Sequence, residues 1–253
     1  MNKTPDSNIK TEILIHDLKV PISVINAGAR SLLDRQDMYG SLTEKQIKVL
    51  HRIVRNTLVT QRLVNDVLEL GRSREGVMVC SQFTVASLVA GVLVEIFDLA
   101  DPNVADAVRK AGNYFQLQEV IGDAGVCLHF QKATWEASVC LDAAKVRQIL
   151  RNLVTNAFKH RIKQVDIRGV IKNSCLTLWV KDDGRGIPRA DHQRIFETYF
   201  TTGGSIEDAI QSHGLGLAGV MVLLKDMGGE MVLQSDAGHG AEFKVSIPLS
   251  QGG

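Results

Sequence analysis

The sequence predicts an α+β chain in which a helical hairpin, forming a dimeric four-helix bundle with a second copy, is followed by an α/β sandwich. Three observations carry this. Two long stretches before residue 75 repeat apolar residues at three- and four-residue intervals, the period of an amphipathic helix. Beyond residue 76 the texture changes to short alternating strands and capped helices. The 253 residues are 45% apolar and 23% charged, a globular composition long enough for one large domain or two modest ones.

The first helix covers residues 9 to about 36. Its stripe is Ile13, Val20, Val24 and Ala27, widened by Leu14, Leu18, Ile25 and Leu32. The second covers 42 to about 74, with Ile47, Leu50, Val54, Thr57, Gln61, Val64 and Leu68 at heptad-like spacing. Between them Tyr39-Gly40-Ser41-Leu42-Thr43-Glu44 supplies a turn and a cap. One hairpin buries too little on each helix, so a homodimer is expected. Gly71-Arg72-Ser73-Arg74-Glu75-Gly76 breaks the pattern and divides the chain into domains 1–75 and 76–253. In the second domain, 77–83 and 126–130 read as strands and 143–160 as a helix capped by Asp142. Residues 165–171 and 176–180 read as a hairpin. The helix 215–227 stops at Gly228-Gly229, and 231–234 pairs with 242–247 across the turn 235–240. In 99–123, Val104, Val108, Ala111 and Phe115 follow a helical stripe, which marks a packed structural insertion rather than a docking element.

Charge and composition exclude several functions. Twenty-nine Lys and Arg against 28 Asp and Glu leave a net charge of +1, which argues against binding nucleic acid or anionic membrane by bulk charge. The longest apolar run, 85–94, is interrupted by Ser87 and closed by Glu95, too short for a membrane span, and the N-terminus has no signal-peptide core. The four cysteines, at 80, 127, 140 and 175, form no close pair in sequence. They are therefore expected to be small buried hydrophobes in a reducing compartment, not a zinc site or a redox dithiol. The expected location is the cytoplasm.

Four segments carry chemistry. On the helix 143–160, Gln148, Asn152, Asn156 and Lys159 share one face while Val146, Ile149, Leu153 and Ala157 form another. Such a polar stripe is usually a solvated face, although an amide oxygen can ligate Mg²⁺ and a lysine can meet phosphate. In Asp182-Asp183-Gly184-Arg185-Gly186-Ile187-Pro188, strand parity turns Asp182 inward with Leu176, Leu178 and Val180, and Asp183 outward. A buried carboxylate needs a donor, and the exocyclic amine of adenine is one; the plain alternative is a strand-end turn with two solvated aspartates. Ser212-His213-Gly214-Leu215-Gly216-Leu217-Ala218 opens a helix with free N–H groups suited to phosphate, or is an ordinary cap. The glycine-rich 196–205 before it reads as a mobile lid. Lastly, His16-Asp17-Leu18-Lys19-Val20-Pro21 puts a histidine one turn before a proline that should bend the helix.

In their order, His-Asp-Leu-Lys-x-Pro, Asn-Leu-x-x-Asn-Ala-x-Lys-His, Asp-x-Gly-x-Gly-Ile-Pro, Phe-x-x-x-Phe and Gly-Leu-Gly-Leu-Ala resemble the boxes of bacterial sensor histidine kinases over nearly the whole chain. The resemblance implies a phosphoacceptor hairpin and an ATP-binding domain using ATP and Mg²⁺. His16 would be the nucleophile and Asp17 would hold its Nδ1–H. Asn156 would ligate Mg²⁺, with Asn152, Lys159 and His160 lining the phosphate and metal side. Asp182 would read adenine beside Gly184, Gly186 and Ile187, and Thr201, Thr202, Gly214, Leu215, Gly216 and Leu217 would belong to the lid and phosphate loop. The phosphoryl group would pass to an aspartate of a response-regulator receiver domain. The rival readings are an ATP hydrolase of the same superfamily and a dimeric nucleotide-binding scaffold without catalysis. The hydrolases carry a glutamate where Asn152 stands, and an amide cannot accept a proton from water.

Three positions depart from the pattern. Val20 stands where relatives place Thr or Asn, which implies weak phosphatase activity. Ser212 replaces a glycine of the phosphate loop, and Gly203 stands where a lysine is common. Fifteen residues precede His16, so the signal is expected from a separate sensor protein or from another part of a longer kinase.

Overall fold

The computed structural model describes residues 6–74, 78–193, 195 and 216–249, excepting the side chains of 6–16, 62, 66–74, 216 and 218. The chain divides into two compact units, Met1–Arg72 and Ser73–Gly253.

The first unit is the predicted hairpin: α1 (Asp6–Asp34), a short α2 (Gln36–Tyr39) and α3 (Glu44–Arg74). A capping box starts α3. Gln46 Oε1 accepts from Thr43 N at 2.8 Å, and Thr43 Oγ1 accepts from Gln46 N at 3.3 Å. The α3 stripe turns inward as expected from Ile47 to Val64; the Leu68 side chain lies outside the described residues. On α1 the inward face is different from the predicted one. Ile22, Asn26, Ala29 and Leu33 are among its less exposed residues. Asn26 Nδ2 donates to Thr57 Oγ1 at 2.6 Å, and Gln61 Nε2 donates to Ser23 Oγ at 3.0 Å. The predicted stripe stays open, with Val24 66%, Val20 53% and Ile25 52% exposed. The reason is that α1 is apolar around much of its circumference, so periodicity finds a stripe without saying which partner covers it. The helix continues through Pro21.

The second unit is a two-layer sandwich. Its five-stranded sheet has the order β2-β4-β5-β7-β6, with β2 (Val126–Phe130), β4 (Val165–Lys172), β5 (Cys175–Asp182), β6 (Glu230–Ser235) and β7 (Ala241–Pro248). Only β2 and β4 are parallel. Both predicted hairpins are present, and β4 turns into β5 through Asn173 and Ser174, at φ 51° and 54°, as tight hairpins require. Buried Val165, Ile167, Leu176, Leu178, Val180, Phe243 and Val245 line the covered face of the sheet. Against it lie α8 (Ala143–His160) and α9 (Gly216–Asp226), and α4 (Val85–Ala100), the long apolar run of the sequence, packs on α8.

Residues 99–123 form two helices rather than one: α5 (Pro102–Lys110) and α6 (Tyr114–Gly122). Asn113 starts the second by accepting from Gln116 N at 3.0 Å. The break removes Phe115 from the proposed stripe and leaves it 82% exposed. The segment is nevertheless structural. Tyr114 Oη donates to Leu128 O at 2.7 Å, and Gln118 Oε1 accepts from Leu128 N at 3.0 Å, so α6 covers the open edge of β2. A four-residue α7 (Lys132–Trp135) packs Trp135 on Tyr114, centroids 5.0 Å apart.

Two expectations need correction. The strand expected at 77–83 is β1 (Ser81–Thr84), paired with β3 (Ser138–Leu141) in a separate two-stranded sheet. Val79 instead donates its N–H to Asp142 Oδ2 at 3.1 Å, which ends the ladder. None of the four cysteines is buried: Cys80 is exposed and the others are partly exposed. Cys80 and Cys140, 60 residues apart in sequence, form a disulfide with Cα atoms 5.7 Å apart. The β1–β3 pairing, invisible to local spacing, brings them together.

Candidate functional site

The site begins where β5 ends. Alternation along the strand leaves Asp182 only 5% exposed, with Leu176, Leu178 and Val180 on the same face. Asp182 Oδ1 accepts from Gly184 N at 2.9 Å. Burial holds its carboxyl above the ordinary aspartate range, against the Gly184 and Ala241 N–H groups that favour the charged form. Asp183 points out and does a different job. It accepts from Ile162 N at 2.8 Å and Lys163 N at 3.0 Å, tying the loop after α8 to the end of β5. Desolvation opposes its ionisation, but the N–H groups of Lys163, Gln164 and Ile162 outweigh it and lower its pKa.

The glycines after Asp182 are required by the protein's own backbone. A side chain at Gly184 would run into the His160 carbonyl oxygen. Gly186, at φ +67°, lies against the Asp236 carbonyl. Two further bonds knit this loop to the β6–β7 turn: Gly238 N to Arg185 O at 2.6 Å, and Ile187 N to Ser235 Oγ at 2.8 Å. Neighbouring loops approach both glycines closely and hold the rim around Asp182.

The polar stripe of α8 is only partly the solvated face that such stripes usually make. Gln148 is 3% exposed and Asn152 8%, while Asn156 is half-buried and Lys159 and His160 are exposed. Gln148 Nε2, Gln148 Oε1 and Asn152 Nδ2 are buried without a hydrogen-bond partner. Partial desolvation, reinforced by Lys159, holds His160 below its ordinary pKa although Asp182 acts the other way.

α8 and α9 run antiparallel. Each enters its following strand, β4 or β6, through a short turn, and those two strands point in opposite directions in the sheet. At one end Lys145, fully buried, pairs with Asp226 of α9 and lies 4.0 Å from Asp142. Ten residues back along α9, about 15 Å away, is Gly216, which puts the start of α9 toward the half of α8 that carries Asn156. Leu217 is partly buried there; Thr201, Thr202, Gly214, Leu215, Ser212, Gly203 and the lid expected at 196–205 lie outside the described residues.

Asp182, Gly184, Gly186 and Ile187 thus share one loop at the C-terminal end of α8, and Asn152, Asn156, Lys159 and His160 lie along that helix. This donor set fits ATP: a buried acceptor for an amine, then amides and a lysine for phosphate and metal. Among the described residues no cluster of three or more His, Cys, Asp and Glu could hold a metal ion, and the half-buried Asn156 amide oxygen is an acceptor that could ligate Mg²⁺. His16 and Asp17 lie on α1 in the other unit; Asp17 is exposed, and the His16 side chain lies outside the described residues.

Residues 12–76 match the family described as the His Kinase A (phospho-acceptor) domain, and residues 141–251 match the Histidine kinase-, DNA gyrase B-, and HSP90-like ATPase family. The chain carries the catalytic core of the sensor histidine kinases. This kinase core is 29% identical over 237 residues to the histidine protein kinase DivJ of Caulobacter vibrioides, covering 92% of this chain and 36% of DivJ. It is 28% identical over 238 residues to the circadian input-output histidine kinase CikA of Synechococcus elongatus, covering 92% of this chain and 29% of that protein. The chain therefore spans about a third of these curated relatives. Full-length ShkA, solved in complex with AMPPNP, shares the fold at TM-score 0.61 and 22% identity over 95% of this chain and 45% of its own. The Acinetobacter baumannii kinase AdeS does so at 0.53 and 19% identity, over 93% of this chain and 98% of its own. Among the described residues no helix of the kinase core is long and apolar enough to cross a membrane.

Lys145 and Gln148 are the buried polar residues of α8 to which the sequence motifs assign no role. The signal for Lys145 was a cation in the first turn of a helix, where the dipole disfavours it.

Proposed function

We propose that the chain is the phosphoryl-transfer core of a sensor histidine kinase: it uses ATP and Mg²⁺ to phosphorylate His16, then passes the group to an aspartate on a response-regulator receiver domain. The observation that carries this is a buried carboxylate, Asp182, beside the C-terminal end of α8, a helix whose Gln148 and Asn152 amides are buried and unpartnered, in a chain whose α1 bears His16-Asp17. Asp182 accepts the adenine amine at the rim formed by Gly184, Gly186 and Ile187. Asn156 holds Mg²⁺, which when bound neutralises phosphate charge. Asn152, Lys159 and His160 serve the triphosphate, and Thr201, Thr202 and residues 214–217 are given the same task by their place in the motifs. Asp17 keeps the proton on Nδ1 of His16, and the Nε2 lone pair forms the bond to the γ-phosphorus as its bond to the bridging oxygen breaks, releasing ADP.

The open stripe of Leu18, Val20, Val24 and Ile25 supports a homodimer built on α1 and α3. Val20, one turn after His16 and 53% exposed, offers no hydrogen bond to a water, so phosphatase activity is weak. The hydrolase reading has no base at Asn152, and the scaffold reading leaves His16-Asp17 unused. Label from γ-labelled ATP should appear on this chain first and then move to a receiver domain. Label that never leaves in the presence of receiver domains contradicts the relay.

A further inference from the structure

Gln148 is the one member of the α8 seam that the proposed function leaves without a task. It is 3% exposed, and neither end of its amide has a partner. One turn further on, Asn152 Nδ2 is orphaned as well. Natural cores leave few such atoms unsatisfied. Side chains four apart on a helix have Cβ atoms 5–6 Å apart, close enough for two amides to share one water. A buried water commonly makes about three hydrogen bonds, and three orphaned atoms lie here.

We propose that Gln148 is a positioning residue for the metal–nucleotide site, which it serves through a buried water held between its amide and Asn152 Nδ2. The water accepts from Nδ2 and so fixes which way the Asn152 amide faces. Asn152 Oδ1, which is not among the orphaned atoms, is then presented as an acceptor to the Mg²⁺ hydration shell beside Asn156. Without Gln148 the amide rotates freely between its two orientations. This rests on the proposed function, in that Mg²⁺ and nucleotide bind at Asn156.

The test is calorimetric binding of AMPPNP to the full chain, with saturating Mg²⁺ and with EDTA. Wild type should bind more tightly with Mg²⁺. Gln148→Met, close in volume but without the amide, should bind metal-free AMPPNP like wild type and lose roughly 10-fold of the Mg²⁺-dependent gain, as outer-sphere partners of metal ligands do. Gln148→Glu, which keeps an acceptor oxygen, should recover most of it. Combined with Asn152→Ala, Gln148→Met should add nothing further, because both act on one amide. An unchanged Mg²⁺ gain, equal losses with and without metal, or additive effects overturn the proposal. If Gln148→Met fails to fold, Gln148→Ala is judged by the same criteria. Wild type that shows no Mg²⁺-dependent binding overturns the proposed function as well, which separates the two failures.

Discussion

Asp182 shows how one residue's surroundings set what it can recognise. Its carboxyl sits at the end of a strand whose inward face is otherwise aliphatic, and burial holds it above the ordinary range. The Gly184 and Ala241 N–H groups offset part of the cost of a charge there, and a further donor such as the adenine amine of the proposed function would offset more. Asp182→Asn should weaken ATP binding roughly 10- to 100-fold, the range for a hydrogen bond to a charged group. The pH dependence has a definite sign. Affinity should be full above the raised pKa and fall as acid protonates the carboxyl, beginning at a higher pH than an ordinary aspartate would give. Binding of ADP followed from neutral to acidic pH should show this decline in wild type, and a flatter profile in Asp182→Asn. Strand parity alone predicted that Asp182 faces in and Asp183 out, because alternation is a local property. Why Gly184 has no side chain was not legible. The atom it would strike belongs to His160, and only the folded loop brings that carbonyl near.

At the scale of elements, the sandwich depends on two devices outside the site. The first is the buried Lys145, which joins α8 to α9 through Asp226 and lies beside the capping carboxylate of Asp142. Lys145→Met strands Asp226 and should cost about 3–5 kcal/mol in denaturant melts. Adding Asp226→Leu should recover part of the loss, since Asp142 keeps the backbone donors of Lys145 and Val79. The second device is α6 at the edge of β2. Tyr114→Phe removes the bond to Leu128 O and should cost about 0.5–1.5 kcal/mol, read as a lower melting temperature. Deleting 101–123 should uncover the edge of β2 and produce concentration-dependent aggregation by light scattering. Elements defined by period and punctuation were readable: both terminal hairpins, α8 with its cap, and the helical hairpin. The split of α5 from α6, the four-residue β1 and the Cys80–Cys140 pairing were not, since each is decided by a partner distant in sequence.

At the scale of the molecule, the chain joins a helical unit carrying His16-Asp17 to a sandwich in which the end of β5 lies beside the C-terminal end of α8. The α1 face that periodicity selected is the one left open in a single chain, which fits a second copy as its cover. Replacing the exposed Val20 by Thr should raise dephosphorylation of a phosphorylated receiver domain several-fold while leaving autophosphorylation intact. A rate unchanged by Val20→Thr contradicts the role given to that position. The most direct test of the whole account is incubation of the purified chain with γ-labelled ATP and Mg²⁺, beside His16→Gln and Asn156→Ala. The account predicts an acid-labile, alkali-stable label on the wild type that both substitutions abolish. Acid-stable label, or label that survives in His16→Gln, would contradict it.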